Sequence, residues 1–187
     1  MKSVLVCNQK GGVGKSLIAD ELAFSFERSG IPLAFYDLDT QGGTIHKTVK
    51  NEKAEIVIID TPGALLDQLK DWLKNVDIIV IPTRPTSRDI EPLQRMRKVV
   101  GANAPDTPVL YVVNGWNRYK ASADFMDWLM REISGIYTLP QSEQFVQASA
   151  SETSVVSYAK NSPAAKSILN LCNSIRTILG FPAEREK

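Results

Sequence analysis

One loop near the start of the chain restricts the folds that the sequence can adopt. Residues 9–16 read QKGGVGKS and follow the apolar run SVLVC of residues 3–7, which has the valine-rich composition of a buried strand. Downstream of the loop, apolar residues recur at helical spacing until Gly30 and Pro32 end the pattern. The glycine-rich loop is therefore expected to connect a strand to a helix.

This connection suits a phosphate ligand. Gly11, Gly12 and Gly14 have no side chains that would block a close approach, and their N–H groups can turn inward. The first turn of the helix adds unpaired N–H groups and the positive end of the helix dipole. A glycine-rich turn can also join a strand to a helix without binding anything, but here a lysine and a serine follow, which can reach phosphates and Mg²⁺. We therefore predict a nucleotide-binding loop made of Gly11, Gly12, Val13, Gly14, Lys15, Ser16 and Leu17.

A second lysine, Lys10, distinguishes this loop from the general P-loop pattern, which would place a glycine where Gln9 stands. The segment KGGVGKS resembles the deviant Walker A motif of the ParA/MinD ATPases, and NQKGGVGK is most similar to the ParA branch. The resemblance implies a homodimer that closes around two ATP molecules, in which Lys10 of each chain reaches the nucleotide of the other. The alternative is that Lys10 is a solvated loop lysine.

Four further apolar runs follow at residues 32–36, 55–59, 77–81 and 108–113, and helical patterns lie between them. Strands that are apolar throughout and alternate with helices are typical of a parallel sheet covered on both faces. We therefore predict a single α/β domain over residues 1–187, with a mostly parallel sheet between two layers of helices; the resemblance makes it a P-loop NTPase. In such sheets ligands bind at the carboxyl ends of the strands.

Three aspartates stand at those carboxyl ends. Asp60 follows the run IVII, a Walker B pattern that directs a carboxylate toward Mg²⁺. Asp37 and Asp39 follow the second predicted strand two residues apart, so their side chains should point the same way. The alternative is that these are ordinary turn or helix-capping aspartates.

The segment DLDTQ resembles the D-x-D-P-Q switch segment of the family, with Thr40 in place of the usual proline. The resemblance implies that Asp39 orients the attacking water and that Asp37 helps to hold the water shell of the metal. It thus implies a catalytic set of Lys10, Lys15 and Asp39, and a Mg²⁺ site formed by Ser16, Asp37 and Asp60.

Asn114 ends the fifth predicted strand, where members of the family place a residue that hydrogen-bonds adenine. An asparagine amide has the donor and the acceptor that this contact requires, although a turn residue would also fit this position. Asp39 and Asp60 are 21 residues apart, whereas most ParA relatives carry a longer, partly helical insert there. The segment between them contains the single histidine, His46, to which the sequence assigns no role.

Composition limits the classes of partner. The net charge is +1 at pH 7, so any nucleic-acid site must be local. No apolar run approaches the roughly 18 residues of a membrane span, and Cys7 and Cys172 read as buried, reduced thiols. Basic residues that could contact DNA are interspersed with acids, which is also typical of a solvated surface. The candidates are Arg84, Arg88, Arg95, Arg118 and Lys120.

The resemblance to the ParA branch implies a cytoplasmic, nucleoid-associated, Mg²⁺-dependent ATPase that acts in plasmid or chromosome partition. The ATP-bound dimer would bind nonspecific DNA, and a small ParB- or ParG-type partner would stimulate hydrolysis. Two other functions remain open on the same fold. A MinD-like membrane-positioning ATPase needs a basic amphipathic C-terminal helix, which the tail RTILGFPAEREK, with a proline and two acids, does not favour. A small-molecule ligase has no use for Lys10.

Overall fold

A six-stranded sheet in which all neighbouring strands are parallel forms the centre of the protein. The computed structural model describes residues 1–39, 42–63 and 66–184. The strands are β1 (Lys2–Val6), β2 (Leu33–Asp37), β3 (Ile56–Asp60), β4 (Ile78–Thr83), β5 (Val109–Trp116) and β6 (Ile136–Pro140). The helices are α1 (Lys15–Arg28), α2 (Leu66–Leu73), α3 (Ser87–Asn103), α4 (Lys120–Glu132), α5 (Glu143–Ala150), α6 (Val155–Tyr158) and α7 (Pro163–Leu179).

The strand order, β2-β3-β1-β4-β5-β6, places β1 inside the sheet, between β3 and β4. The chain builds β2 and β3 on one side of β1 and then crosses over to build β4, β5 and β6 on the other. This reversal opens a crevice beyond the carboxyl end of β1, which is where ligands bind in open parallel sheets. The predicted fold class is confirmed, and the glycine-rich loop leaves β1 at this crevice.

Alternate residues of the first apolar run show how the two faces of the sheet are filled. Val4 and Val6 point into a core formed with α1 and α7. Leu5 and Cys7 point into a second core, formed with α2, α3 and α4. All four side chains are fully buried, as expected for a strand that is apolar throughout because helices cover both faces.

The pattern of apolar residues in the sequence does not reveal two parts of the architecture. The sequence of β6, IYTLP, is only partly buried, because β6 is an edge strand paired with β5 alone. The segment 42–55 contains no helix and crosses directly from β2 to β3, with Val49 paired antiparallel to Phe35. Thr40 and Gln41, which belong to the switch-like segment DLDTQ, lie outside the described residues.

Glu21 is a carboxylic acid of α1 that faces the core, with 3% of its surface exposed. One of its oxygens accepts a 2.7 Å hydrogen bond from the N–H of Val155, at the start of α6, and the other has no partner among the described residues. Burial raises the pKa of Glu21 to about 7, and the Val155 hydrogen bond opposes this shift only in part. The folded state therefore holds the proton more tightly than the unfolded chain, and stability is lost as the pH rises toward 7.

We expect Glu21→Gln to raise the free energy of unfolding at pH 8 by about 1–3 kcal/mol, because each unit of pKa shift corresponds to about 1.4 kcal/mol. At pH 5 the gain should be much smaller, since the wild-type carboxyl is then protonated in the folded state. Urea unfolding at both pH values measures the difference, with Glu52→Gln as the matched change at an exposed position. An equal gain at both pH values would contradict a buried, titrating Glu21.

Candidate functional site

The loop between β1 and α1 adopts a backbone that favours glycine. Gly12 and Gly14 have φ values of +72° and +98°, in the left-handed region. A Cβ at Gly14 would also lie 2.2 Å from Nδ2 of Asn114, whereas a Cβ at Gly11 or Gly12 would meet no described atom within 4 Å. One side of the loop therefore packs against the end of β5, and the other is open to a ligand.

Neighbouring segments hold the loop in this shape. The buried Asn8 donates a 2.6 Å hydrogen bond to the carbonyl of Pro82, at the end of β4, and accepts one of 3.1 Å from the N–H of Lys10. On the other side, Gly63 approaches so closely that a Cβ there would lie 3.3 Å from the N atom of Gly11. The loop is thus fixed before any ligand binds. Sequence reasoning missed Asn8, whose one signal is a polar residue directly after a buried strand.

Ser16 and Asp60 join the start of α1 to the end of β3. The Ser16 hydroxyl donates a 2.6 Å hydrogen bond to Oδ2 of Asp60. Asp60 is fully buried, and its Oδ1 has no hydrogen-bond partner among the described residues. Burial raises the pKa of Asp60 to about 6, while the Ser16 hydrogen bond and the charge of Lys15 oppose the shift.

These donors fit Mg²⁺. A hard cation prefers oxygen ligands, and the orphaned Oδ1 of Asp60 is a buried acceptor of the kind that a cation or its bound water can satisfy. Gly43 leaves space beside Ser16 because it has no side chain: a Cβ at this position would lie 3.2 Å from the Ser16 hydroxyl oxygen. Within the described residues, no cluster of three or more acidic, histidine or cysteine side chains could hold a metal by protein ligands alone.

Asp37, the last residue of β2, and Asp39 lie next to this pair. Asp37 stands opposite Asp60 in the register of β2 and β3. Its two oxygens accept hydrogen bonds from the Thr44 hydroxyl at 2.6 Å and from the N–H of Asp39 at 3.0 Å. Burial lowers the pKa of Lys15, and the charges of Asp60 and Asp39 oppose that change. Asp60 and Asp39 are therefore close enough to act on the lysine of the loop, and Asp37 stands beside Asp60.

Lys10 is held by its own chain. Its Nζ lies 2.9 Å from Oδ1 of Asp89 and donates a 3.2 Å hydrogen bond to the carbonyl of Arg88. Asp89 is 2% exposed, in the first turn of α3, and its other oxygen accepts a hydrogen bond from the Thr86 hydroxyl. Sequence reasoning missed Asp89, because nothing near it in the sequence shows that a lysine 79 residues earlier would neutralise it. The contact of Lys10 with a partner's nucleotide stays a prediction.

Asn114 lies beside the loop, two residues before β5 ends at Trp116, so the strand runs further than the sequence predicted. Its amide Nδ2 donates a 3.0 Å hydrogen bond to the carbonyl of Val13. The side chain is half-buried, and its oxygen is not used in a described hydrogen bond to the loop. The geometry therefore gives Asn114 a part in shaping the loop, and its contact with adenine stays a prediction.

The predicted basic residues divide into two groups. Four are exposed on the loops after β4 and β5 or at the start of the helix that follows, and thus at the same edge of the sheet as the glycine-rich loop: Arg84, Arg88, Arg118 and Lys120. Arg118 and Lys120 flank Tyr119 in the sequence, and Tyr119 is 74% exposed. Arg95 instead lies further along α3 and forms a 2.8 Å ion pair with Glu91.

No described helix is both long enough and apolar enough to span a bilayer. This finding covers residues 1–39, 42–63 and 66–184.

Comparison with known proteins identifies a nucleotide-binding domain over most of the chain. Residues 4–155 match the family model of the CobQ/CobB/MinD/ParA nucleotide binding domain. ParA of Rhizobium radiobacter is 25% identical in an alignment 114 residues long that covers 48% of this chain and 51% of that protein. IncC of Escherichia coli is 50% identical over 42 residues, which are 22% of this chain and 12% of that protein. The chain thus spans about half the length, or less, of the curated relatives it matches.

Solved structures agree in fold. An ATP complex of a McdA variant from Cyanothece has a TM-score of 0.78 and 14% identity, covering 99% of this chain and 98% of that chain. A plasmid partition protein from Borrelia burgdorferi has a TM-score of 0.70 and 15% identity, covering 94% of this chain and 98% of that one. At this identity the likeness extends to the fold alone.

We expect Gly14→Ala to weaken binding of a fluorescent ATP analogue by at least about tenfold, since a left-handed alanine costs roughly 1–2 kcal/mol and its Cβ would displace Asn114. Gly101→Ala is the matched control, because Gly101 lies on α3 and a Cβ there would meet no described atom within 4 Å. Equal affinities of the two variants would contradict the loop as the binding site.

Proposed function

Because the chain belongs to the CobQ/CobB/MinD/ParA family of nucleotide-binding domains, we propose that it is a Mg²⁺-dependent ATPase of the ParA type. It dimerises on ATP and serves the partition of plasmid or chromosomal DNA. The observation that supports this most is the convergence of Lys15, Ser16 and Asp60 at the carboxyl end of β1, with Asp37 and Asp39 beside them.

Each residue of this group has a task in ATP hydrolysis. The loop N–H groups and the Lys15 ammonium bind the β- and γ-phosphates, and Ser16, Asp60 and Asp37 would hold Mg²⁺ directly or through water. When bound, Mg²⁺ neutralises charge on the phosphates. Asp39 orients a water whose oxygen bonds to the γ-phosphorus while the bond from that phosphorus to the β,γ-bridging oxygen breaks. The products are ADP and inorganic phosphate.

Dimerisation requires Lys10 to change partners. In the single chain its ammonium pairs with Asp89; in the proposed dimer it reaches the triphosphate of the partner. The exchange keeps the charge of Lys10 neutralised, but it leaves the buried Asp89 without its cation, which is costly. Asp89 should therefore oppose dimerisation until ATP supplies a stronger anion.

Nonspecific DNA is the ligand that best suits the exposed basic group. Arg84, Arg88, Arg118 and Lys120 lie at the edge of the sheet where the nucleotide would bind, so a dimer formed across that edge would double the number of cations. Assembly on ATP would thus create the DNA-binding surface, and hydrolysis would remove it. A small ParB- or ParG-type partner would act by accelerating the hydrolysis.

The dimer is tested by sedimentation with Mg²⁺ and a slowly hydrolysed ATP analogue. We expect the wild-type chain to shift from monomer to dimer, Lys10→Ala to remain monomeric, and Asp89→Asn to dimerise at a lower nucleotide concentration, because Lys10 is released. Lys53→Ala removes an exposed lysine away from the site and should behave as wild type. A Lys10→Ala variant that dimerises normally would contradict the exchange of partners.

The DNA surface is tested by binding to random duplex at several salt concentrations. We expect Arg84→Ala and Arg118→Ala each to reduce the slope of log affinity against log salt by about 1, because each removes one phosphate contact. Arg95→Ala should leave the slope unchanged, since Arg95 is paired with Glu91. An equal effect of all three changes, or binding that is indifferent to ATP, would contradict the proposed surface.

A further inference from the structure

Asp20 and His46 lie next to the candidate site, and the proposed chemistry gives neither of them a role. We propose that this pair, the Asp20–His46 anchor, positions the segment 42–48 and through it the Asp37 carboxylate for ATP hydrolysis. The inference rests on the proposed function, since it concerns the same reaction. Asp20 acts as a positioning residue, because its contacts are with the segment and not with the reacting atoms.

Asp20 is buried on α1, one helical turn beyond Ser16. Its carboxylate accepts hydrogen bonds from the N–H groups of Ile45 at 2.9 Å and His46 at 3.0 Å, and it lies 2.7 Å from Nδ1 of the His46 ring. Because α1 begins directly after the glycine-rich loop, a side chain on its second turn has a fixed place relative to a bound nucleotide. Three contacts to one buried carboxylate hold the segment at that place.

His46 is packed as well as hydrogen-bonded, and 12% of its side chain is exposed. Its ring lies edge-on to Phe24 of α1, with centroids 4.4 Å apart, and is stacked on Phe35 of β2 at 5.3 Å. Its second nitrogen, Nε2, lies 3.4 Å from the Glu27 carboxylate. An imidazole placed between two carboxylates is suited to the doubly protonated form, in which both nitrogens donate.

The anchored segment reaches the catalytic acids within two residues. Thr44, adjacent to Ile45, donates the 2.6 Å hydrogen bond to Oδ2 of Asp37. Gly43, next along, borders the Ser16 hydroxyl so closely that a Cβ would lie 3.2 Å away. A segment released from Asp20 would therefore change both the orientation of Asp37 and the space beside Ser16, without altering the glycine-rich loop.

The anchor should respond to pH. Burial lowers the pKa of His46, but the hydrogen bonds and charges of Asp20 and Glu27 outweigh it and raise the pKa above its ordinary value. Among the described residues, these two acids of α1 are the charged groups in contact with the ring, and β2 contributes only Phe35. The anchor is thus complete below the ordinary histidine pKa and weakens as the pH rises through the raised one.

The test compares Asp20→Asn and His46→Gln with the wild-type full-length chain. We expect the affinity for a fluorescent ATP analogue to stay within about twofold, because no loop contact is lost. We expect kcat to fall about tenfold, since displacing a catalytic group by 1 Å can cost on the order of 100-fold. His46→Gln keeps a donor for Asp20 but cannot titrate, so its kcat should no longer decline with rising pH. Asp124→Asn, an exposed change on α4, is the matched control.

Glu27→Gln separates positioning from general stability. It leaves the contacts of Asp20 in place and removes one acid that raises the pKa of His46. We expect its maximal kcat to equal that of wild type, and its alkaline decline to begin at lower pH. Unfolding midpoints of all variants show whether a loss of kcat reflects loss of folded protein.

Each outcome supports or overturns the anchor. Wild-type kcat and pH profile in Asp20→Asn, or a loss of kcat that merely follows unfolding, would overturn it. A wild-type chain that hydrolyses no ATP would contradict the proposed function instead. In that case, faster hydrogen exchange at the amides of Ile45 and His46 in Asp20→Asn supports a structural anchor, and unchanged exchange overturns it.

Discussion

The hydrogen bond from Ser16 to Asp60 is the interaction on which the site depends, because it joins the first turn of α1 to the end of β3. Both ends come from elements that flank β1, and β1 lies where the strand order reverses. Burial without a second partner raises the pKa of Asp60 to about 6 and leaves one acceptor unused among the described residues. A buried carboxylate in this condition is poised for a cation, which would lower the cost of its charge.

In the single chain, the residues proposed to bind the phosphates and Mg²⁺ are already assembled. The lysine proposed to reach the partner's nucleotide is still held within its own chain. Lys15, Ser16 and Asp60 already stand together, and the loop is braced by Asn8. Lys10, in contrast, is committed to Asp89 within the chain. The proposed dimer must break this ion pair, so the free energy of assembly depends on how much more strongly a triphosphate attracts the ammonium than Asp89 does. A nucleotide with fewer phosphate charges would compete less well, which gives the proposed assembly its dependence on ATP.

The sequence predicts the parts of the site that local rules govern. The strand–loop–helix unit follows from glycines between two periodic segments, and Asp37 and Asp60 meet because parallel strands end at one edge of the sheet. Asp89, Asp20 and the packing of His46 could not be predicted, because their partners are brought together only by the three-dimensional fold. The same holds for the edge strand β6, whose half-buried residues leave no continuous apolar run. Residues 42–55 contain no helix, and this segment is held by the bridge of Val49 to Phe35 and by Asp20.

A crystal structure with Mg²⁺ and a non-hydrolysable ATP analogue tests the central claim most directly. The account predicts two chains facing each other, with the Lys10 ammonium moved from Asp89 to the partner's phosphates and the Ser16 hydroxyl turned from Asp60 to the metal. A nucleotide-bound monomer in which Lys10 stays on Asp89, or a triphosphate bound away from the glycine-rich loop, would contradict it.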